Sequence, residues 1–155
     1  MKRKLGIFVI FYGLCLIVQL LGGYVTQLSV HDWYQGLAKS ELTPPGAVFG
    51  IVWTILYFLM ALAATRIYLI RGTLRSSTMV WWFIQLILGL IWSFVFFGHR
   101  EVLLGLVVIT LNWTAVIDTI QKFEKIDRKA ALMMAPLLAW ITFAAYLNAV
   151  IVCKL

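Results

Sequence analysis

Apolar residues fill this chain in five long runs, about Leu5–Leu28, Gly46–Ile70, Thr78–Gly98, Val102–Gln121 and Ala130–Val152. Within each run nearly every position is apolar, so the two-residue alternation of a half-buried strand is missing. Each run is long enough to cross a bilayer core of about 30 Å as a helix, which takes roughly 20 residues. Strands of a membrane barrel would instead read as ~10-residue segments of alternating polarity. The pattern predicts an all-α integral membrane protein, a single domain over residues 1–155 built as a bundle of five transmembrane helices.

The polar breaks are unequal. Those after the second, third and fourth runs are short, as expected between antiparallel neighbours. The first, SVHDWYQGLAKSELTPP, takes 17 residues from Ser29 to Pro45. Its segment HDWYQGLAKS fits a short amphipathic helix. Two readings stay open for it: a lid over one end of the bundle, or an interfacial segment whose Trp33 and Tyr34 rest among lipid headgroups. Thr43 is predicted as the N-cap of the second helix, with Pro44 or Pro45 opening it. Phe49, Trp53 and Tyr57 follow at intervals of four, advancing only about 40° per step, and so form an aromatic stripe. Spacing alone leaves that stripe as a pocket wall or as ordinary packing.

Polar residues inside the later runs are few. Gln85, Gly89 and Trp92 share a face of the third run, and Asn112, Trp113 and Asp118 lie in the fourth. A carboxylate is costly in the bilayer, and Asp118 is expected to reach the headgroups or to pair with Lys122 or Arg66. Pro136 is expected to bend the fifth helix.

Composition agrees with the pattern. The 155 residues are 63% hydrophobic and 12% charged, against roughly a quarter charged in soluble domains, and mean hydropathy is +0.98. The basic start of the chain imitates a secretory signal, but the apolar stretch is long and no A-x-A site follows, so the first run is read as a retained helix. A net charge of +7 would suggest nucleic acid in a soluble protein. Here its placement speaks against that. Lys2, Arg3, Lys4, Arg66, Arg71, Arg75, Lys122, Lys125, Arg128 and Lys129 fall on one side of five crossings, and only Lys39, Arg100 and Lys154 on the other. That is the positive-inside asymmetry, which puts the N-terminus in the cytoplasm and the C-terminus outside. Cys15 and Cys153 lie in apolar runs and no Cys/His cluster has zinc spacing, so neither a disulfide framework nor a metal site is expected.

The stretches WYQGLAKSELTPPGAVFGIVWTILY, QLILGLIWSFVFF and PLLAWITFAAYLN together resemble the TspO/MBR family, the translocator or peripheral-type benzodiazepine receptor proteins. The resemblance implies a five-helix bundle, usually a homodimer in the membrane, with a ligand pocket beneath the first loop acting as a lid. Family members bind porphyrins such as protoporphyrin IX, and benzodiazepine or isoquinoline-type ligands. Carried over by position, Trp53 and Trp140 face each other across the pocket. Tyr34, Pro44, Pro45, Phe49 and Tyr57 close its upper and second-helix walls. Gln85, Gly89, Trp92 and Ser93 come from the third helix, and Ala144, Leu147 and Asn148 from the fifth.

The chain departs from the family's usual residues at Ser40, Leu42, Leu137 and Gly89, where Pro, Trp, Tyr and Asn are common. Gly89 is expected to enlarge the pocket and to remove a polar contact. The proposed cholesterol motif needs a basic residue within five positions of a tyrosine, and after Tyr146 the next is Lys154, so a bacterial plasma-membrane protein is the better expectation. Three functions follow from the resemblance: a porphyrin-binding stress sensor, light-dependent oxidative porphyrin breakdown with Trp53 and Trp140 as catalytic partners, or a transporter of tetrapyrroles or small lipids. No cofactor is expected to be tightly bound, and porphyrin enters as ligand or substrate.

Overall fold

The computed structural model describes residues 2–155 and contains five helices long and apolar enough to cross a membrane. They are α1 (Lys2–Val30), α2 (Gly46–Arg71), α3 (Ser77–Ser93), α4 (Val102–Glu124) and α5 (Arg128–Cys153). A π-helical turn, Phe94–Gly98, prolongs α3. Each helix packs on its ring neighbours in the order α1, α2, α5, α4, α3, with α3 and its π-turn closing back on α1. Side chains such as Leu5, Leu20, Ile51, Leu103 and Leu132 point outward. In water they would be a liability; in a bilayer they are the lipid-facing surface of an integral membrane protein.

Helix boundaries have local causes. Gly72 takes a left-handed φ of 69° and returns its N–H to the Tyr68 carbonyl, ending α2. Ser76 caps α3, its Oγ accepting from Met79 N at 3.3 Å. Asp127 caps α5, its Oδ1 accepting from Lys129 N at 3.1 Å. At the start of α2 the expected cap is replaced. Pro45 holds the cap position with φ −57° and ψ 149° and no side-chain bond, while Thr43 N donates to the Ser40 carbonyl. Two consecutive prolines keep the backbone extended through residue 45, which leaves Thr43 too far from the first free N–H groups.

The core needs small residues where helices meet. Cys15, Ala61, Ala63, Ala64 and Ala130 are fully buried beside Trp82 and Phe123, so backbones approach closely around two large rings. Trp82 meets Phe11 and Phe83 edge-on at 5.4 Å and 5.1 Å. Pro136 lies within α5, which runs as one helix from Arg128 to Cys153.

Residues 31–45 fold as successive turns instead of the expected amphipathic helix. Trp33 packs on Phe96, and Tyr34 on both Phe96 and Phe97. Consecutive residues of an α-helix point about 100° apart, so a turn is the better way to bring both rings onto one aromatic pair. The π-turn supplies that pair: His99 N bonds the Phe94 carbonyl at 2.8 Å, five residues back, and Phe96 and Phe97 are both buried. Lys39 Nζ donates to the Tyr34 and Gln35 carbonyls, and Lys154 Nζ to the Lys39 carbonyl at 3.0 Å. The C-terminus thus holds the far end of the loop.

At the opposite end Arg66 pairs with Asp127, not with Asp118. Asp127 begins α5 beside the C-terminal half of α2, whereas Asp118 lies in α4, and α4 is not one of the helices that flank α2 in the ring.

Candidate functional site

Polar side chains converge at mid-depth of the bundle. Trp53 and Tyr57 stand roughly 11 Å and 17 Å into α2 at 1.5 Å per residue, with their rings tilted 30° at 5.5 Å between centroids. With Met60 they form one wall of a cavity of about 10 Å³, to which α3 adds Gln85, Leu86 and Gly89, α4 adds Asn112, and α5 adds Leu137 and Ile141. The space suits a single water molecule. Gln85 and Asn112 are 2% and 3% exposed, and Gln85 Nε2 and Asn112 Oδ1 have no hydrogen-bond partner.

Gly89 borders this space. A Cβ built there would lie 3.4 Å from Asn112 Nδ2, an ordinary contact, so the position has room for a methyl group and the amide of α4 faces it.

Of the residues named from sequence, Trp53, Tyr57, Gln85 and Gly89 meet at the cavity. Trp140 is elsewhere: Phe49 meets it edge-on at 5.5 Å and Phe143 lies 5.7 Å away. Trp140 and Phe143 line an apolar groove of about 400 Å³ between α2 and α5, with Val52, Ile55, Leu56, Pro136 and Ala139. The reason is angular. Leu137 and Ile141 turn inward, and Trp140 is about 60° and 100° around the helix from them. The two indoles therefore line different spaces on the same α2–α5 seam.

The remaining residues belong to the loop end. Trp92 stacks on Phe96 at 5.3 Å and its Nε1 donates to Asn148 Oδ1 at 3.3 Å. Asn148 Nδ2 donates to the Val102 carbonyl at 2.9 Å. Ser93 Oγ faces Gly22 of α1, while Ala144 and Leu147 are buried in α5. Tyr34 closes over this cluster, and Pro44 and Pro45 precede α2. No residue of the 31–45 loop borders the cavity.

Sequence reasoning missed Met60, Leu86, Asn112, Leu137 and Ile141 as lining residues. Met60 had a signal, since it extends the Trp53–Tyr57 stripe by three positions. Asn112 had one too, as a buried amide in an apolar run. Leu86, Leu137 and Ile141 are indistinguishable from core leucines and isoleucines until the helices are assembled.

A TspO/MBR family model matches residues 11–153. The "Tryptophan-rich protein TspO" of Chlorobaculum tepidum is 35% identical over 151 residues, 96% of this chain and 95% of that protein. The "Tryptophan-rich sensory protein" of Cereibacter sphaeroides is 36% identical over 121 residues, covering 78% and 75%. The human "Translocator protein" is 32% identical over 135 residues, covering 83% and 80%. With five apolar helices and a match over nearly its whole length, this integral membrane chain belongs to the TspO/MBR family.

Proposed function

We propose that this protein is a membrane receptor and sensor for planar aromatic tetrapyrroles, with protoporphyrin IX as the reference ligand. The observation that carries the reading is a mid-bundle cavity walled by Trp53 and Tyr57 and bordered by two unpartnered amides. Apolar rings with a few polar groups suit a flat aromatic ligand. The same walls suit benzodiazepine and isoquinoline-type molecules. A pocket for such ligands measures roughly 300–1,000 Å³, so binding requires the α2–α5 seam to open and join the cavity to the 400 Å³ groove that holds Trp140. The protein works as a homodimer in a bacterial plasma membrane, N-terminus inside.

Light-dependent oxidation of bound porphyrin is part of this proposal. The excited macrocycle takes an electron from the indole of Trp53 or Trp140, far easier to oxidise than benzene, and passes it to oxygen. The indole radical cation then recovers an electron from the macrocycle, whose radical cation combines with the superoxide formed. Protoporphyrin IX is titrated against tryptophan fluorescence, and its absorbance is followed under illumination. Trp53→Phe and Trp140→Phe are expected to keep binding within about tenfold, a 1.4 kcal/mol effect, because phenyl rings still stack. Both are expected to slow the light-dependent loss strongly. Absence of saturable quenching in the wild type overturns the receptor reading, and wild-type photolysis rates in both variants overturn the photochemical part.

A further inference from the structure

Gln85 and Asn112 are the two amides of the cavity, both nearly completely buried. The unpartnered atom of the first is a donor and that of the second an acceptor. A buried amide group without a partner is costly, so such groups are almost always paired by protein, water or ligand. Turning both amides about their terminal torsions exchanges the roles and keeps one donor and one acceptor, whereas turning one alone would leave two acceptors or two donors. The rest of the lining is apolar or aromatic, and no charged side chain is among it.

We propose that Gln85 and Asn112 form a two-point hydrogen-bonding subsite for the edge of an aromatic ligand that carries a carbonyl beside an N–H, as in a lactam. Gln85 donates to the carbonyl and Asn112 accepts from the N–H. One water molecule serves the pair when the cavity is closed, since the space is about 10 Å³. A carboxylate is a poor occupant: it brings only acceptors to the carbonyl of Asn112, and a charge to a site with no cation. This deepens the receptor reading and rests on the cavity being the ligand site.

The full-length protein in detergent micelles is titrated with 2-quinolone, N-methyl-2-quinolone and quinoline-2-carboxylate, each followed by tryptophan fluorescence. The lactam is expected to bind at least about tenfold tighter than either analogue, because each analogue leaves one buried partner unpaired. Gln85→Met and Asn112→Leu are expected to shrink the preference to about twofold. A preference that survives both substitutions is steric and overturns the proposal. The wild type gives a second measurement that needs no variant: the infrared carbonyl stretch of bound 2-quinolone should fall below its value in hydrocarbon solvent, and a hydrocarbon-like frequency overturns the subsite. Protoporphyrin IX titrated on the same samples separates the two ideas. Failure of porphyrin binding with the lactam preference intact overturns the tetrapyrrole reading alone, and the converse result overturns the subsite alone.

Discussion

Gly105 sits where α4 meets the π-turn, and there one carbon atom decides the packing. A Cβ at this position would lie 2.9 Å from Phe96 Cδ2 and 3.2 Å from Asn148 Oδ1. The Phe96 ring cannot retreat easily, because Trp92 stacks on it and Trp33 and Phe97 meet it edge-on. Gly105→Ala is therefore expected to destabilise by about 1–3 kcal/mol, the usual cost of overpacking. Gly13→Ala has nothing within 4 Å of the new methyl and should be neutral or stabilising by up to about 1 kcal/mol. Thermal unfolding in detergent compares the two, and equal melting temperatures would show that Phe96 yields. Gly89 is the third case, where a new methyl group would meet the Asn112 amide at an ordinary contact of 3.4 Å.

At the scale of elements, the ends of helices carry the polar chemistry. The hydrogen bond from Arg66, reinforced by backbone N–H groups of α5, holds the Asp127 carboxyl below the usual carboxylate range. A depressed folded-state pKa contributes stability above the unfolded value of about 4, and that contribution is lost as pH falls through the folded value. Asp127→Ala removes the ion pair and the cap of α5, and should cost about 1–2 kcal/mol at pH 7. The gap from wild type should narrow between pH 7 and an acid pH below the unfolded value of about 4, as the native carboxyl protonates at its depressed folded value. Melting curves at the two pH values check this, and a constant gap would point to lost packing instead. At the other end of the bundle, Lys154 tethers Lys39. Lys154→Ala should speed amide hydrogen exchange around Lys39–Leu42, while Tyr34, whose N–H bonds the Ser29 carbonyl at 2.9 Å, stays protected. Unchanged exchange at both places would mean that the aromatic contacts alone hold the loop.

For the whole molecule, the five alternating crossings bring all ten residues of the larger basic group to one end. That end is expected to face the cytoplasm. The native cysteines suit a test: Cys153 is exposed at the loop end, and Cys15 is fully buried. A membrane-impermeant maleimide should label Cys153 in intact cells. A cysteine introduced at Gln121 or Glu124 should react only after the cells are broken. The reverse pattern would invert the topology.

The number and order of the helices were legible in the amino-acid sequence, because the bilayer demands long apolar runs and confines their breaks to water. The runs at 46–70 and 102–121 reappear as Gly46–Arg71 and Val102–Glu124. The aromatic stripe on α2 was legible too, since residues four apart share a face in any α-helix. What apolar runs cannot encode is their rotation about their own axes. In a protein apolar on every side, hydrophobicity does not say which face turns inward, so the inward turn of Leu137 and Ile141 that carries Trp140 to the outer groove emerged only from the assembled bundle. The same holds for the Asn112 amide facing Gly89, for the Arg66–Asp127 pair, and for the loop seated on Phe96 and Phe97. Each joins residues from different helices or loops, and their meeting depends on the ring order and register that packing alone decides.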